Sequence, residues 1–394
     1  MDNTISIYVH IPFCVKKCPY CDFNSVATAD IPDDAYINAL NRELFFHIKE
    51  RPVLSKKTLE TIYIGGGTPS LISPHNIKRL LSSIKQAFAE SNPVETTMEI
   101  NPGTITKNSL AAFRDAGINR LSIGIQSFND KTLKTLGRIH SADNSLKCYE
   151  YARATGFDNI GIDLIFGAPG QSVEEWEGDL KTAVALRPEH ISAYNLTVEK
   201  GTLFFELQKN REIVLPSEEE QVLMYELAID SLKEAGYNHY EISNFSLTGF
   251  ESRHNMRYWS CMDYIGLGAG AHSYISSPDR YIRGQAPDWG IRWWNESNPD
   301  AYMQQINKTG QAIAGKERLT KKEALEEGIF LGLRRTSGIN MDWFAARFDT
   351  PIKNQRSQKI AKLKTCGLIY EDGSIIRLTS KGLVLSNEVF AELI

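Results

Sequence analysis

The sequence has no apolar run long enough to cross a membrane. Each apolar stretch falls well short of the roughly 18 residues that a membrane-spanning helix needs. The first ten residues, MDNTISIYVH, also lack a basic stretch followed by a long apolar one, which argues against a secretory signal. We therefore expect a cytoplasmic protein.

An excess of basic charge is also missing. The chain has 44 basic and 48 acidic residues, a formal net charge of −4, which argues against a protein built mainly to coat nucleic acid or an anionic membrane. Its length of 394 residues suits two or three domains, and a hydrophobic fraction of 42% is enough for a sizeable core.

Cysteine is scarce and unevenly placed. There are six cysteines, and three of them lie within eight positions. In a reducing compartment such a group favours metal binding over disulfides. The other three, Cys148, Cys261 and Cys366, are scattered, and we interpret them as small buried apolar side chains.

The first half of the chain alternates short β-branched apolar runs with segments of helical periodicity. This alternation is typical of βαβ units, whose strands form a parallel sheet. Six runs are clear, whereas a closed barrel of this type needs eight. The predicted fold class is therefore α/β, with a partial (βα)6 TIM-like barrel over residues 1–205. The predicted strands are residues 5–10, 61–64, 96–100, 120–126, 159–166 and 190–196.

Two further regions follow the predicted barrel. Residues 206–314 form an extension that begins with a helix capped by Ser217 and Glu220 and contains a predicted strand at 237–244. Residues 315–394 begin with a second capping box, Thr320 with Glu323, and end with a hairpin around the turn at 372–373. Helices followed by a hairpin are typical of an α+β winged-helix domain.

The C-terminal region carries five basic side chains that could form a nucleic-acid face: Lys353, Arg356, Lys359, Lys362 and Lys364. A solvated helix surface explains the same pattern. We favour the solvated surface and expect no nucleic-acid partner.

The clustered cysteines, Cys14, Cys18 and Cys21, lie at positions i, i+4 and i+7 in the segment YVHIPFCVKKCPYCDFN. A loop with this spacing can turn three thiolates toward one point. Cubane iron–sulfur clusters normally take four cysteines, one per iron, so three cysteines leave one iron open. A structural zinc site, closed by a fourth ligand such as His10, is the alternative.

The CxxxCxxC spacing after a first strand resembles that of the radical S-adenosylmethionine enzymes. The resemblance implies a [4Fe–4S] cluster whose open iron binds the amino and carboxylate groups of S-adenosylmethionine. Electron transfer from the cluster then cleaves the C–S bond, which implies an electron donor such as flavodoxin or ferredoxin. Phe13 and Tyr20, beside the cysteines, would shield the cluster from water.

The segment YIGGGTPS ends the second predicted strand. Its glycines, Gly65, Gly66 and Gly67, allow backbone angles and close approaches that a side chain would forbid. A tight turn alone would explain a triple glycine. In this position it resembles the family's glycine-rich loop, which binds the amino group of S-adenosylmethionine.

Polar residues recur at the carboxyl ends of later strands, where α/β barrels build their active sites: Glu99, Gln126 and Asp163. The resemblance implies that Arg138 pairs with the carboxylate of S-adenosylmethionine, and that Glu99 or Asp163 accepts from ribose hydroxyls. The full set of matching residues is Tyr8, Gly66, Gly67, Thr68, Glu99, Gln126, Arg138 and Asp163.

Five motifs, HIPFC, GGGTP, EINPGT, GIQSF and DLIFGAPGQ, narrow the resemblance to the coproporphyrinogen oxidase-like branch and extend it over nearly the whole chain. That branch contains anaerobic coproporphyrinogen III oxidases and haem chaperones of the HemW type. The oxidases carry one more cysteine two positions after the third, and here Phe23 occupies that position. The resemblance therefore implies a haem chaperone without oxidase activity.

Residues 254–259, HNMRYW, resemble the HNxxYW motif of these chaperones. A neutral imidazole can ligate haem iron, and Tyr258 and Trp259 offer flat apolar surface to the macrocycle. The resemblance implies that His254 binds haem, with His272 a weaker candidate for the same neighbourhood. The protein would pass haem to apo-haemoproteins such as membrane-bound respiratory enzymes.

Three alternatives stay open from the sequence. The first is an oxidase that abstracts hydrogen from the propionates of coproporphyrinogen III, against which Phe23 and the 254–259 segment argue. The second is a different radical enzyme. The third is a zinc-stabilised regulator that binds nucleic acid, against which the charge balance and the polar strand ends argue.

Overall fold

The computed structural model describes residues 3–89, 91–276, 288–354 and 356–394. The strands are β1 (Thr4–Ile11), β2 (Phe13–Cys14), β3 (Val26–Ala27), β4 (Thr58–Gly66), β5 (Glu95–Ile100), β6 (Arg120–Gln126), β7 (Ile160–Phe166), β8 (His190–Asn195), β9 (Asn238–Glu241), β10 (Asn244–Ser246), β11 (Tyr264–Leu267), β12 (His272–Ile275), β13 (Gly290–Asn295), β14 (Ile313–Leu319), β15 (Ile339–Asn340), β16 (Ile369–Asp372) and β17 (Ile375–Leu378). The α-helices are α1 (Asp33–Glu50), α2 (Pro74–Ala87), α3 (Lys107–Ala116), α4 (Asp130–Thr135), α5 (Ala142–Ala154), α6 (Val173–Leu186), α7 (Leu203–Lys209), α8 (Glu218–Glu234), α9 (Arg253–Trp259), α10 (Pro299–Thr309), α11 (Lys321–Arg334), α12 (Met341–Phe348), α13 (Ser357–Thr365), α14 (Ser380–Val384) and α15 (Ser386–Leu393).

The large sheet is built around six strands that follow one another in chain order, β1, β4, β5, β6, β7 and β8. Each of them runs parallel to the next, and at least one helix connects each pair. This arrangement confirms the predicted α/β fold with a partial (βα)6 barrel. All six predicted strands are present, although the strand predicted at 61–64 extends over Thr58–Gly66.

The extension adds strands to both edges of this sheet. β10 and β9 continue it antiparallel beyond β8, whereas β11, β12, β13 and β14 continue it beyond β1. β11 runs parallel to β1, so it is a seventh parallel strand that the sequence analysis did not identify. The strand predicted at 237–244 is a pair of short strands, β9 and β10. The expected boundary between residues 314 and 315 falls inside β14.

The core forms because the central strands bury both of their faces, as parallel sheets do when helices cover them. In β1, Ile5, Ile7 and Val9 are fully buried on one face, and the alternate residues turn toward the barrel interior. The predicted capping boxes at Ser217 and Thr320 are present and begin α8 and α11.

The C-terminal region has its own core, and β15, β17 and β16 form a three-stranded sheet beside its helices. The same core includes Tyr274 and Trp289, so this region packs on the extension. Lys353 and Lys364 both pair with Glu371, and Lys362 pairs with Glu392. These ion pairs lie within the region, and the choice between a solvated surface and a nucleic-acid face stays a prediction.

Two observations bear on the remaining expectations. Within the described ranges, no helix is both long and apolar enough to span a membrane. Cys148 and Cys261 are buried, as predicted. The prediction for Cys366 is wrong, because this residue lies in the exposed stretch 364–367 at the end of α13.

Candidate functional site

A cavity of about 400 Å³ lies at the carboxyl ends of the parallel strands. Active sites of α/β barrels occupy this end, and the volume lies within the range of small-molecule sites. Ten of the twelve predicted site residues line the cavity, which brings together side chains from the whole first half of the chain. These ten are Cys14, Cys18, Cys21, Gly66, Gly67, Thr68, Glu99, Gln126, Arg138 and Asp163.

The three cysteines lie on the loop that follows β1. Cys14 belongs to β2, which pairs with β3, and the backbone N–H of Cys21 donates to the carbonyl of Cys18 at 3.1 Å. Burial raises the pKa of the Cys14 thiol, and the neighbouring Cys21 and Cys18 act in the same direction. A metal must therefore displace its proton. In the described part of the chain, no three His, Cys, Asp or Glu side chains form a group that could hold a metal ion, and the cluster stays a prediction.

The glycine-rich loop lies directly against the cysteine loop. A Cβ added to Gly67 would lie 2.7 Å from the carbonyl oxygen of Phe13 and 2.9 Å from Sγ of Cys14. Gly66 has a φ of +116°, in the region that side chains rarely adopt. The hydroxyl of Thr68 donates to Sγ of Cys14 at 3.5 Å. Gly67 therefore needs to be small to leave Cys14 in its place.

Arg138 extends from the opposite side of the cavity to the second cysteine. One Nη donates to Sγ of Cys18 at 3.6 Å, and the other donates to the carbonyl of Gly124 at 3.1 Å. Its Nε is buried and has no hydrogen-bond partner among the described residues. A buried guanidinium with an unused donor fits an anionic group such as a carboxylate.

Two carboxylates line the cavity beyond the cysteines. Glu99 accepts from the Tyr63 hydroxyl at 2.8 Å and from the Gly66 N–H at 3.0 Å, and Asp163 accepts from two serine hydroxyls. Burial raises the pKa of Glu99 to about 7, and the charge of Asp163 adds to the shift. Burial also raises the pKa of Asp163. The site therefore holds two acids whose pKa values are raised, and both suit a ligand with donor groups.

Gln126 ends β6 with a φ of +69°, in the left-handed region. The pairing between β6 and β7 shifts register between Ile123 and Gln126, so the strand is irregular where it meets the cavity. Non-glycine residues adopt this conformation rarely, and such strain concentrates at functional sites.

Several cavity residues were missed by the sequence analysis. The period of two along a strand could have identified them, because every second side chain of a strand points to the same face. On β6, the residues that face the cavity are Arg120, Ser122, Gly124 and Gln126. The same alternation on β8 places three more side chains there. The residues missed include Tyr63, Arg120, Ser122, His190, Ser192, Tyr194 and Asn255.

Tyr8 does not line the cavity. Its hydroxyl lies 2.9 Å from Nδ1 of His10, and Nε2 of His10 lies 2.7 Å from the carbonyl oxygen of Asn24. Because a carbonyl only accepts, Nε2 carries the proton and Nδ1 accepts from Tyr8. In this conformation Tyr8 acts through His10 on the position of the cysteine loop.

The 254–259 segment lies at the other end of the barrel. It forms α9, whose first backbone N–H groups donate to Glu95 at the beginning of β5. Arg257 pairs with Glu60 and donates to Thr4, near the beginnings of β4 and β1. Asn255 alone of this segment reaches the cavity wall. α9 therefore closes the amino end of the barrel.

His254 is buried within this closure. Nδ1 lies 2.8 Å from the Thr61 hydroxyl and Nε2 lies 2.9 Å from the Tyr258 hydroxyl. Burial, followed by the charges of Arg257 and Arg120, lowers the pKa of His254 to about 3, so the ring is neutral. In this conformation neither ring nitrogen is available to iron. Ligation of haem by His254 stays a prediction, and it requires the ring to leave one of these partners.

The two aromatic residues of the segment are also engaged. Tyr258 packs edge-on against Tyr264, with ring centroids 4.6 Å apart, and the guanidinium of Arg334 lies 4.5 Å from the centroid of Trp259. Both are partly buried, so they present no open flat surface to a macrocycle here. His272, the weaker candidate, is exposed on β12.

Comparison with known proteins identifies the class to which this fold and site belong. The model of the Radical SAM superfamily matches residues 8–183, and the model of the HemN C-terminal domain matches residues 319–385. The structure of coproporphyrinogen III oxidase (HemN) from Escherichia coli, a radical SAM enzyme, has a TM-score of 0.83 and covers 100% of this chain and 90% of its own, at 24% identity. That likeness shows the shared fold.

Two relatives narrow the class. The heme chaperone HemW of Bacillus subtilis (strain 168) is 37% identical over 386 residues, which cover 98% of either chain. The heme chaperone HemW of Lactococcus lactis subsp. lactis (strain IL1403) is 38% identical over 385 residues, which cover 98% of this chain and 96% of the relative. The chain therefore belongs to the HemW family of the radical SAM superfamily.

Proposed function

We propose that this protein is a haem chaperone, which binds haem and transfers it to apo-haemoproteins such as respiratory enzymes. The observation that carries the proposal is the near full-length similarity to two proteins named heme chaperones. Phe23 supports it, because this side chain stands where the oxidases of the branch have a cysteine, and it is 65% exposed.

We further propose that Cys14, Cys18 and Cys21 hold a [4Fe–4S] cluster, with S-adenosylmethionine beside its open iron. When bound, the cluster supplies an electron to S-adenosylmethionine. Arg138 would hold the carboxylate of that ligand, and Glu99 or a neighbouring acid would accept from its hydroxyl groups. The shared cavity, the unused Nε of Arg138 and the close fit of the glycine-rich loop support this arrangement.

The surroundings of the cysteines suit an acidic electron donor, such as flavodoxin or ferredoxin. Lys16 and Lys17 are exposed between Cys14 and Cys18, and their positive charge favours encounter with a negative surface. Free thiols and a cluster also require reducing surroundings, so we propose the cytoplasm as the compartment.

The cluster is tested by anaerobic reconstitution with iron and sulfide, followed by absorption and EPR spectroscopy. We expect Cys14→Ala, Cys18→Ala and Cys21→Ala proteins to lose the cluster signal. Cys366→Ala is the matched control, because this exposed cysteine lies outside the site. If the three variants in the loop keep the signal of the unaltered protein, the ligand assignment is wrong.

The oxidase is the second candidate, because the protein shares the fold of coproporphyrinogen III oxidase over its full length. The test is anaerobic incubation of the reduced, cluster-loaded protein with S-adenosylmethionine and coproporphyrinogen III. We expect no protoporphyrinogen IX. Robust formation of that product would overturn the chaperone function.

A further inference from the structure

A histidine can ligate haem iron when one of its ring nitrogens has a lone pair that no hydrogen bond occupies. Six of the eight histidines have at least one ring nitrogen in a hydrogen bond: His10, His47, His140, His190, His239 and His254. The other two, His75 and His272, are exposed, and within the described ranges their ring nitrogens have no hydrogen-bond partner. Among the described residues, only these two combine exposure with two ring nitrogens that have no hydrogen-bond partner. Nδ1 of His190 also lacks a partner, but it is buried in the cavity wall.

His272 differs from His75 because an aromatic neighbour fixes its ring. The imidazole stacks on the indole of Trp294, with centroids 5.8 Å apart and an interplanar angle of 23°. The two residues are directly opposite on β12 and β13. Gly315 is the next residue across the sheet, and a Cβ at this position would lie 2.1 Å from the indole. Only glycine at position 315 therefore leaves room for the indole.

Within the described ranges, the pair lies at a solvent-accessible end of its sheet face. Tyr274, two residues along β12, is buried in the core shared with the C-terminal region, whereas His272 is exposed. Arg292, two residues before Trp294, pairs with Glu317 and Glu327 and so does not occupy the imidazole. Partial burial, followed by the charge of Arg292, lowers the pKa of His272, so the ring is neutral, as an iron ligand must be.

We propose that His272 is the axial ligand of the haem cargo and that Trp294 positions its imidazole. This proposal rests on the haem-chaperone function proposed above. Nε2 or Nδ1 of His272 donates its lone pair to the iron and replaces the water or chloride that hemin carries. No electron is transferred and no covalent bond of the porphyrin changes.

The geometry of the pair suits this role. The plane of an axial imidazole is perpendicular to the porphyrin plane. An indole stacked on that imidazole therefore also contacts the macrocycle with its edge. Edge-to-face contacts between aromatic systems are favourable. An exposed ligand also suits a cargo that has to leave for another protein, whereas the buried His254 would have to break one of its hydrogen bonds first.

The cysteine loop is attached to the same end of this sheet. The side-chain amide of Asn24 donates to the carbonyls of Ala269 and Ser297, at 2.9 Å each. Ala269 precedes β12, and Ser297 follows β13. The proposed haem ligand and the cluster loop therefore share a structural support.

The test is titration of the cluster-loaded protein with hemin, followed by the Soret absorption band and the EPR spectrum of the iron. We expect His272→Ala to lose the spectrum of a histidine ligand and to weaken binding by roughly tenfold or more. Trp294→Ala should weaken binding less and broaden the EPR signal, whereas Trp294→Phe should restore most of the signal. His75→Ala is the matched control for an exposed histidine, and His254→Ala should keep the ligand spectrum.

The outcomes distinguish failure of this haem-ligand assignment from failure of the proposed chaperone function. If the unaltered protein binds no hemin, the proposed chaperone function fails. If it binds hemin and His272→Ala binds it equally with the same spectrum, the function stands and this inference is overturned. Loss of the ligand spectrum in His254→Ala alone also overturns it. Circular dichroism and thermal melting of each variant distinguish a lost ligand from a lost fold.

Discussion

Replacement of Glu99 by glutamine tests whether burial in the cavity raises the pKa of this carboxyl group. Glu99 accepts hydrogen bonds from Tyr63 and Gly66, and glutamine keeps both if the tyrosine hydroxyl turns to accept from the new amide. The substitution therefore removes a charge and little else. Its effect on stability should depend on pH, because the pKa of Glu99 is raised to about 7.

The sign follows from proton binding. Between the ordinary pKa of 4.5 and the raised value of about 7, the folded state holds more protons at Glu99 than the unfolded state. Stability therefore falls as pH rises through this window, and the loss is complete above the raised value. The full shift of about 2.5 pKa units corresponds to about 3 kcal/mol. Because Glu99 lines a cavity that water can enter, we expect an effect of about 1–3 kcal/mol.

The assay is urea unfolding of the cluster-free protein and the Glu99→Gln variant at pH 5 and pH 8. We expect the variant to gain about 1–3 kcal/mol over the unaltered protein between the two pH values. Glu323→Gln is the control, because capping lowers the pKa of Glu323 below its ordinary value of 4.5, so the stability difference of this variant should hardly change between pH 5 and pH 8. A Glu99→Gln difference that is constant with pH would refute the reasoning.

Three further predictions follow from the same contacts. Gly67→Ala should destabilise the cluster-free protein by about 1–3 kcal/mol in urea unfolding and lower the iron content after reconstitution, whereas the control Gly178→Ala, with open space around its Cβ in α6, should do neither; equal stability would contradict the close fit of Gly67. Arg138→Leu should weaken binding of S-adenosylmethionine to the cluster-loaded protein by about 1.5–3 kcal/mol in equilibrium titration, and unchanged affinity would remove Arg138 from the site. Tyr258→Phe should cost about 1–3 kcal/mol of stability because Nε2 of His254 loses its donor, and a neutral effect on thermal melting would contradict that bond.

Much of the fold could be predicted from sequence because the central strands are local signals. Short β-branched apolar runs, separated by segments of helical periodicity, identify six strands without any information from distant parts of the chain. β11 could not be found in this way, because it has four residues and its parallel neighbour in the sheet, β1, is far away in sequence. Its pairing with β1 is a property of the tertiary structure.

The site likewise has a part that sequence signals predict and a part that depends on tertiary packing. The cysteines, the glycine-rich loop and the polar strand ends could be predicted, since the carboxyl ends of parallel strands converge. The surroundings of Tyr8 and His254 could not, because Tyr8 reaches the loop carbonyl of Asn24 only through His10, and Thr61 is brought to His254 only by the closure of the barrel by α9. A motif identifies the residue, but only the packing shows whether its ring nitrogens are available.

The most direct test of the chaperone function is haem transfer. The protein is loaded with hemin, separated from free hemin, and mixed with an apo-haemoprotein whose Soret band differs from that of the donor. We expect the acceptor band to appear faster than hemin dissociates from the protein into a passive haem scavenger, since direct contact speeds the exchange. A transfer rate equal to the rate of passive dissociation, or no bound haem to transfer, would contradict it.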